Sequence, residues 1–244
     1  MKLDLLVIAV HPDDAELGCA GTILSLVAQG KKVGIVDLTR GELGTRGTPE
    51  IRLQEAADAA QILGLSAREN MGFRDGFFRN DEEHQKALIS AIRKYQPEIV
   101  ITNAVHDRHP DHGRASELVV DACFYSGLRM IKTIDNLGDD ATGDEQAAWR
   151  PKIVYHLIQD RYIKPDFIVD ITDFYAKKQE SLLAYKSQFY DPASTEPMSY
   201  IASQEFMEFL RARAEEFGHV IGVKYGEGFT VDRTIGVKDI FALT

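Results

Sequence analysis

Leu5-Leu6-Val7-Ile8-Ala9-Val10-His11-Pro12-Asp13-Asp14-Ala15-Glu16-Leu17-Gly18 runs from an unbroken apolar stretch straight into an imidazole, a proline and two carboxylates. Residues 3–10 read as a strand buried on both faces, the pattern of a parallel sheet covered by helices. Residues 15–29 follow as a helix that Gly30 stops. The alternation then continues. Lys32 to Thr39 reads as a second strand, and the polar, glycine-rich loop from Arg40 to Thr48 leads to a helix with Pro49 in its first turn and Gly64 at its end. Glu69 to Phe73 is a short third strand. Asp81 to Gln96 is a helix with Ala87, Leu88, Ala91 and Ile92 on one stripe. Glu98 to Thr102 is another buried strand and Gly113 to Gly127 another helix. Repeated strand–helix units imply parallel strands with right-handed crossovers. The fold class is therefore α/β, a single Rossmann-like domain over residues 1–244 with helices on both faces of a mostly parallel sheet. Further on, 153–158 and 167–171 read as strands and 173–189 and 203–217 as helices. The acidic, polar stretch 135–149 reads as a surface loop. The segment around Gly226, Gly228, Phe229 and Val231 is either irregular or a late edge strand.

Ligands of such sheets bind outside the carboxyl ends of the strands. His-Pro-Asp-Asp follows the first strand directly, and His109-Pro110-Asp111-His112 follows the strand at 98–102 closely, so the two tetrapeptides meet at one edge. Catalytic zinc takes about three protein ligands and keeps a place for water. His11, Asp14 and His112 supply that set. Asp13 then stands beside the metal's water, whose pKa falls to about 7, as a carboxylate able to accept its proton. His109 is suited to donate to a developing oxyanion or to a leaving amine, with Asp111 fixing its tautomer. Each residue also has a plainer reading. Asp13 or Asp14 alone would cap the helix, the prolines would be turn residues, and a loop histidine would be solvated. The joint placement after two buried strands favours the metal site, and spacing leaves the metal itself open.

The bulk composition narrows the setting. A net charge of −10 argues against a general nucleic-acid binder, which needs a basic face. Hydrophobic content of 44% and charged content of 27% are ordinary for a soluble globular chain. Cys19 and Cys123 form no CxxC pair, so they read as small buried apolar groups in a reducing, cytoplasmic setting. The N-terminus has no signal-peptide pattern and no apolar run is long enough to span a bilayer. Of the other histidines, His84, His106, His156 and His219, none is assigned to metal; His156, within a strand, reads as a hydrogen-bonded core residue.

Ala9-Val10-His11-Pro12-Asp13-Asp14-Ala15-Glu16-Leu17-Gly18, then Gly21-Thr22 and His109-Pro110-Asp111-His112, resembles the PIG-L/LmbE family of zinc-dependent N-acetylglucosaminyl deacetylases. Residues 36–47, Arg52-Leu53-Gln54-Glu55-Ala56-Ala57 and Lys186-Ser187-Gln188-Phe189-Tyr190 extend the likeness over most of the chain, toward the bacillithiol-biosynthesis branch that acts on N-acetylglucosaminyl malate. The resemblance implies one Zn2+ per chain, or another divalent ion such as Fe2+, on His11, Asp14 and His112, with Asp13 as general base and His109, backed by Asp111, as the second catalytic group. It implies that Arg52 meets the sugar or its acid, that Tyr190 closes over the site, and that the protein is a homo-oligomer, with a hexamer among the candidate sizes. The residues accommodate an acidic substrate: Arg40, Arg46, Arg52, Arg74 and Arg108 lie in or beside the active-edge loops, and a guanidinium fork suits a carboxylate. Arg52 and Arg108 are the arginines chosen for substrate. Glu16 is a candidate for a sugar hydroxyl or for orienting a neighbour.

Other readings compete. The same chemistry would serve another N-acetylglucosamine compound, chitobiose-like, or a thiol-conjugate amide. A dinucleotide-binding oxidoreductase would need a glycine-rich first turn, and the carboxylates here would repel phosphate. A sugar- or metal-binding module without catalysis would lose nothing on Asp13→Asn.

Overall fold

The computed structural model describes residues 1–134 and 144–242, so most of the loop expected at 135–149 lies outside the described residues. The strands are β1 (Leu5–Ala9), β2 (Val33–Thr39), β3 (Ala67–Phe73), β4 (Ile99–Thr102), β5 (Ile153–Leu157), β6 (Phe167–Asp170) and β7 (Gly226–Val231). The helices are α1 (Asp14–Ala28), α2 (Pro49–Leu63), α3 (Glu82–Tyr95), α4 (Pro110–Tyr125), α5 (Tyr175–Leu183) and α6 (Gln204–Val220). One sheet carries the order β3-β2-β1-β4-β5-β7-β6. The first five pair in parallel, whereas β7 runs antiparallel to both β5 and β6.

Alternation along the first strand explains the two layers. Leu6, Ile8 and Val10 pack with Leu88, Ile92, Leu118 and Val119 of α3 and α4 on one face. Leu5, Val7 and Ala9 pack with Ala15, Cys19 and Ile23 of α1 on the other. Full burial of such side chains stabilises by about 1.5–3 kcal/mol each, which fixes the register. A slip of one residue would turn β1 inside out. Both cysteines are free and buried, as expected. Among the described residues no helix is long and apolar enough to cross a membrane.

The strand order reverses between β1 and β4. Chain leaving β1 turns to β2 and β3 on one side, and β4 and β5 lie on the other. The crevice at that reversal is where α/β sheets bind ligands, and both tetrapeptides open into it.

Two expectations need correction. The tail segment is neither irregular nor an edge; β7 lies inside the sheet, and β6 forms the edge. It carries glycines because α6 presses on it: a Cβ added at Gly228 would sit 2.8 Å from the Phe217 ring. That composition hides the strand's alternation. The helix expected over 173–189 ends at Leu183, and Tyr185 and Phe189 fold beyond it into an apolar cluster with Ala56, Ala59 and Phe206.

Helix α1 is broken at Cys19 (φ −148°, ψ 19°), which frees N–H groups in mid-helix. Glu227 of β7 accepts from the Gly21 and Thr22 N–H groups at 2.9 and 2.7 Å, and Lys178 of α5 balances its charge at 2.7 Å. The break is thereby satisfied as a second helix N-terminus.

Candidate active site

His11 leaves the end of β1, and α1 begins at Asp14. Asp13 between them adopts φ 130°, a conformation L-residues rarely take, and makes no capping bond. Its side chain is instead free for the crevice. Strain of this kind costs on the order of 1–3 kcal/mol and persists where the surroundings enforce it. Here Arg52 does so: Nη2 donates to Asp13 Oδ2 at 3.0 Å and to the Pro12 carbonyl at 2.6 Å, and Nη1 reaches the Gly41 carbonyl at 3.3 Å. Only glycine fits at 41, where φ is +63° and a Cβ would fall 1.8 Å from Arg52 Nη1.

Helix α4 begins at Pro110, earlier than the expected Gly113, because His109 itself is the N-cap and its Nδ1 accepts the Asp111 N–H at 3.3 Å. The second tetrapeptide therefore forms a rigid first turn that aims His112 at Asp14. His112 Nε2 lies 3.3 Å from Asp14 Oδ1, and His11 Nδ1 lies 3.5 Å from Asp14 Oδ2. The far nitrogen of each ring is held by a carboxylate, His11 Nε2 by Asp75 at 3.0 Å and His112 Nδ1 by Asp107 at 2.7 Å. Those acids are anchored in turn by the Leu43 and Arg161 N–H groups. Metal-binding imidazoles are oriented in this way. Asn103 and Gln159 each donate to one Asp14 oxygen at 2.9 Å, fixing the carboxylate between the rings.

His11, His109 and His112 also bring one nitrogen each within 4.8 Å of one another, as do ligand atoms of His11, Asp75 and Asp111. The set His11, Asp14 and His112 is the better one for a cation. Among the described residues, no carboxylate is hydrogen-bonded to the His109 ring. Asp75 is occupied as the brace of His11, and Asp111 accepts from the Gly76 N–H and pairs with Arg114.

Electrostatics point the same way. Burial opposes protonation of His11, yet the Asp14 and Asp75 carboxylates outweigh it and push the imidazole up to about 10. His112, with Asp14 and Asp107 against the same penalty, rises to about 9. Asp14 is also disfavoured by burial, but His112 and His11 hold it well below the usual carboxylate range. The cluster thus has a strong deficit of positive charge, met by protons when nothing else is bound. The donor set fits a divalent ion: two nitrogens and a carboxylate, all oriented. Burial raises Asp13 to about 7 despite Arg52. Burial and the two neighbouring imidazoles lower His109, which keeps it neutral.

A cavity of ≈ 400 Å³ opens over these groups. Arg52 and Arg108 line it. Arg108 is half exposed, pairs with Asp160 at 3.4 Å and stacks over Tyr200, its Cζ 4.5 Å from the ring centroid. Tyr190 is not part of the wall and is 36% exposed; Tyr200 holds the place on the rim. The carboxylate of Asp111 braces the loop around Gly76, and its backbone N–H, not its side chain, contacts His109. Of the two readings for Glu16, the sugar contact is excluded and the orienting of neighbours fits: it is fully buried beneath the site, bound to Arg68 at 2.5 Å and accepting from the Tyr185 hydroxyl at 3.1 Å. His156 is the buried, hydrogen-bonded residue expected, with Ser116 at 3.0 Å. Sequence reasoning missed Asp75, Asp107, Asn103 and Gln159. A metal-binding histidine calls for a carboxylate behind it, which signals that such acids are needed but not which acids of the chain supply them.

The PIG-L family, described as GlcNAc-PI de-N-acetylase, matches residues 6–123. The conserved protein TT1542 from Thermus thermophilus is 36% identical over 96% of this chain and 97% of its own, with a TM-score of 0.82. N,N'-diacetylchitobiose deacetylase from Pyrococcus horikoshii is 30% identical over 93% of this chain and 82% of its own, with a TM-score of 0.77. A probable N-acetyl-alpha-D-glucosaminyl L-malate deacetylase 2 of Bacillus anthracis is 26% identical over 83% of this chain and 93% of its own. The chain belongs to the PIG-L family and is a metal-dependent N-deacetylase.

Proposed function

We propose that the protein hydrolyses the acetamide of an N-acetylglucosaminyl conjugate carrying an acid, N-acetyl-α-D-glucosaminyl L-malate above others, with zinc held by His11, Asp14 and His112. The observation that carries this reading is Asp13: a buried carboxyl raised to about 7 and pinned by Arg52, beside three converging ligand groups. The bound ion supplies a Lewis acid and lowers the pKa of a water to about 7. Arg52 occupies Asp13 Oδ2, which leaves Oδ1 to take the proton of the attacking water. His109, accepting at Nδ1 from the Asp111 N–H, carries its proton on Nε2 and donates there to the oxygen that becomes negative. The C–N bond then breaks, Asp13 returns the proton to the amine, and acetate and a free glucosamine amine leave. Arg108, on Tyr200 at the rim, meets the sugar or its appended group.

A neutral disaccharide is the second reading. It is favoured by the likeness to the Pyrococcus horikoshii enzyme and by the apolar wall of Phe206, Phe209 and Leu210 across the cavity. Acetate release from N-acetylglucosaminyl malate and from N,N'-diacetylchitobiose, with zinc or iron restored to metal-free protein, tests both. The proposal expects a higher kcat/KM for the malate conjugate and activity with zinc. Turnover of the disaccharide alone would replace it with the second reading.

A further inference from the structure

Among the arginines of the described residues that are buried or nearly so, one has neither an anionic partner nor a filled set of neutral acceptors. Arg52 is matched by Asp13, and Arg68 by Asp37 and Glu16. Arg93 is surrounded by the carbonyls of Ser126, Leu128 and Ile131 and the hydroxyl of Thr133. Arg46 is only 4% exposed, yet among the described residues its side chain makes one hydrogen bond, Nη2 to Ser194 Oγ, and no ion pair. Its Nε is buried without any acceptor. A guanidinium does not lose its proton in a protein, so the positive charge is present, withdrawn from water and uncompensated. Buried charges are ordinarily paired, because an unpaired one is costly.

Its surroundings hold it ready. The Arg46 carbonyl accepts from Gln188 Nε2 at 2.8 Å, and the next residue, Gly47 (φ +71°), packs against Ser187 so closely that a Cβ would lie 2.6 Å from its hydroxyl. Ser187 is itself clamped by Glu55 through its N–H and its hydroxyl. Arg46 lines the same cavity as the catalytic groups. It stands three positions after Leu43, whose N–H anchors Asp75 behind His11. The Arg46 backbone therefore lies within about 11 Å of Leu43.

We infer that Arg46 is the anion anchor of the substrate cavity, binding an oxyanion group carried by the N-acetylglucosaminide on the side away from its acetamide. This rests on the reading that such a conjugate fills the cavity, and it assigns the substrate class: anionic glycosides, with the free Nε and the fork of Arg46 taking the carboxylate in paired hydrogen bonds.

The test compares zinc-loaded wild type, Arg46→Gln and Arg46→Lys on three substrates: N-acetylglucosaminyl malate, N-acetylglucosamine 1-phosphate and neutral N,N'-diacetylchitobiose. Arg46→Gln is expected to lower the ratio of kcat/KM for the malate conjugate over the disaccharide about 10- to 100-fold, the worth of a charge-assisted hydrogen bond. The loss should lie in KM. Arg46→Lys, which keeps the charge and loses the fork, should fall between. A larger loss for the phosphate than for the malate conjugate supports the anchor and assigns phosphate as its anion. An unchanged ratio, or a loss confined to kcat, overturns the inference and leaves Arg46 a packing residue. Calorimetric binding of glucosaminyl malate against methyl glucosaminide gives the readout independent of turnover. Wild type should prefer the acid, and Arg46→Gln and Arg46→Lys should each reduce the preference. If wild type hydrolyses none of the three substrates the functional reading fails, while equal binding of the two amines by wild type overturns the anchor.

Discussion

Asp75 and Asp107 show how much of this site lies behind the groups that do the chemistry. Each holds the far nitrogen of an imidazole of the proposed metal site and is itself held by a backbone N–H. Such partners govern ligand orientation and basicity. Asp75→Asn and Asp107→Asn are each expected to weaken zinc affinity about 10- to 100-fold, measured by competition with a chelating dye; unchanged affinity would show that the rings need no brace. The convergence of His11, Asp13, Asp14 and His112 was legible because each tetrapeptide compresses its polar groups into four consecutive residues after a buried strand. Asp75 and Asp107 were not legible, since they sit in loops among many other acids and only the folded crevice selects them. Arg52 was legible as important, but its partner was not: the expected substrate contact places it at the right cavity, and the structure shows it spending its hydrogen bonds on Asp13 and two carbonyls.

The strand-and-helix alternation from β1 to α4 could be read directly, because buried parallel strands are short apolar runs and each helix carries a stop signal such as Gly64 in the left-handed conformation. The last strand could not. β7 is written Gly-Glu-Gly-Phe-Thr-Val, and its charge is an internal one. Glu227 fastens the broken middle of α1 and the ammonium of Lys178 to the sheet. Both partners are almost fully buried, at 3% and 7% side-chain exposure, so removing one leaves an uncompensated charge. Glu227→Ala should therefore destabilise the fold by about 3–5 kcal/mol, read from the denaturant midpoint at pH 7. A loss below about 1 kcal/mol would mean that water or another group takes over the carboxylate's bonds, since that is the worth of an ordinary hydrogen bond.

At the scale of the whole molecule, the sheet places two motifs about a hundred residues apart at one reversal point, and the metal becomes part of the stability of the fold. In the metal-free chain His11 and His112 bind protons with pKa values of about 10 and about 9, above the ordinary 6.5. Folding therefore gains from those protons fully below pH 6.5, and the gain disappears as pH rises through 9 and 10. Asp13, raised from 3.8 to about 7, acts with the same sign lower down. Metal-free protein should melt at a lower temperature at pH 9 than at pH 6.5, whereas metal binding, which displaces the protons, should strengthen over the same range. A metal-free chain that melts no lower at pH 9 would refute this charge balance. The division of labour between adjacent carboxylates, Asp14 on the metal and Asp13 on the proton, is the central claim. It is tested most directly by zinc content and acetate release measured together on wild type and Asp13→Asn with N-acetylglucosaminyl malate. The expected variant keeps its full complement of zinc and loses activity by about 10²- to 10⁴-fold; a variant that loses its zinc, or that keeps its activity, would contradict the division.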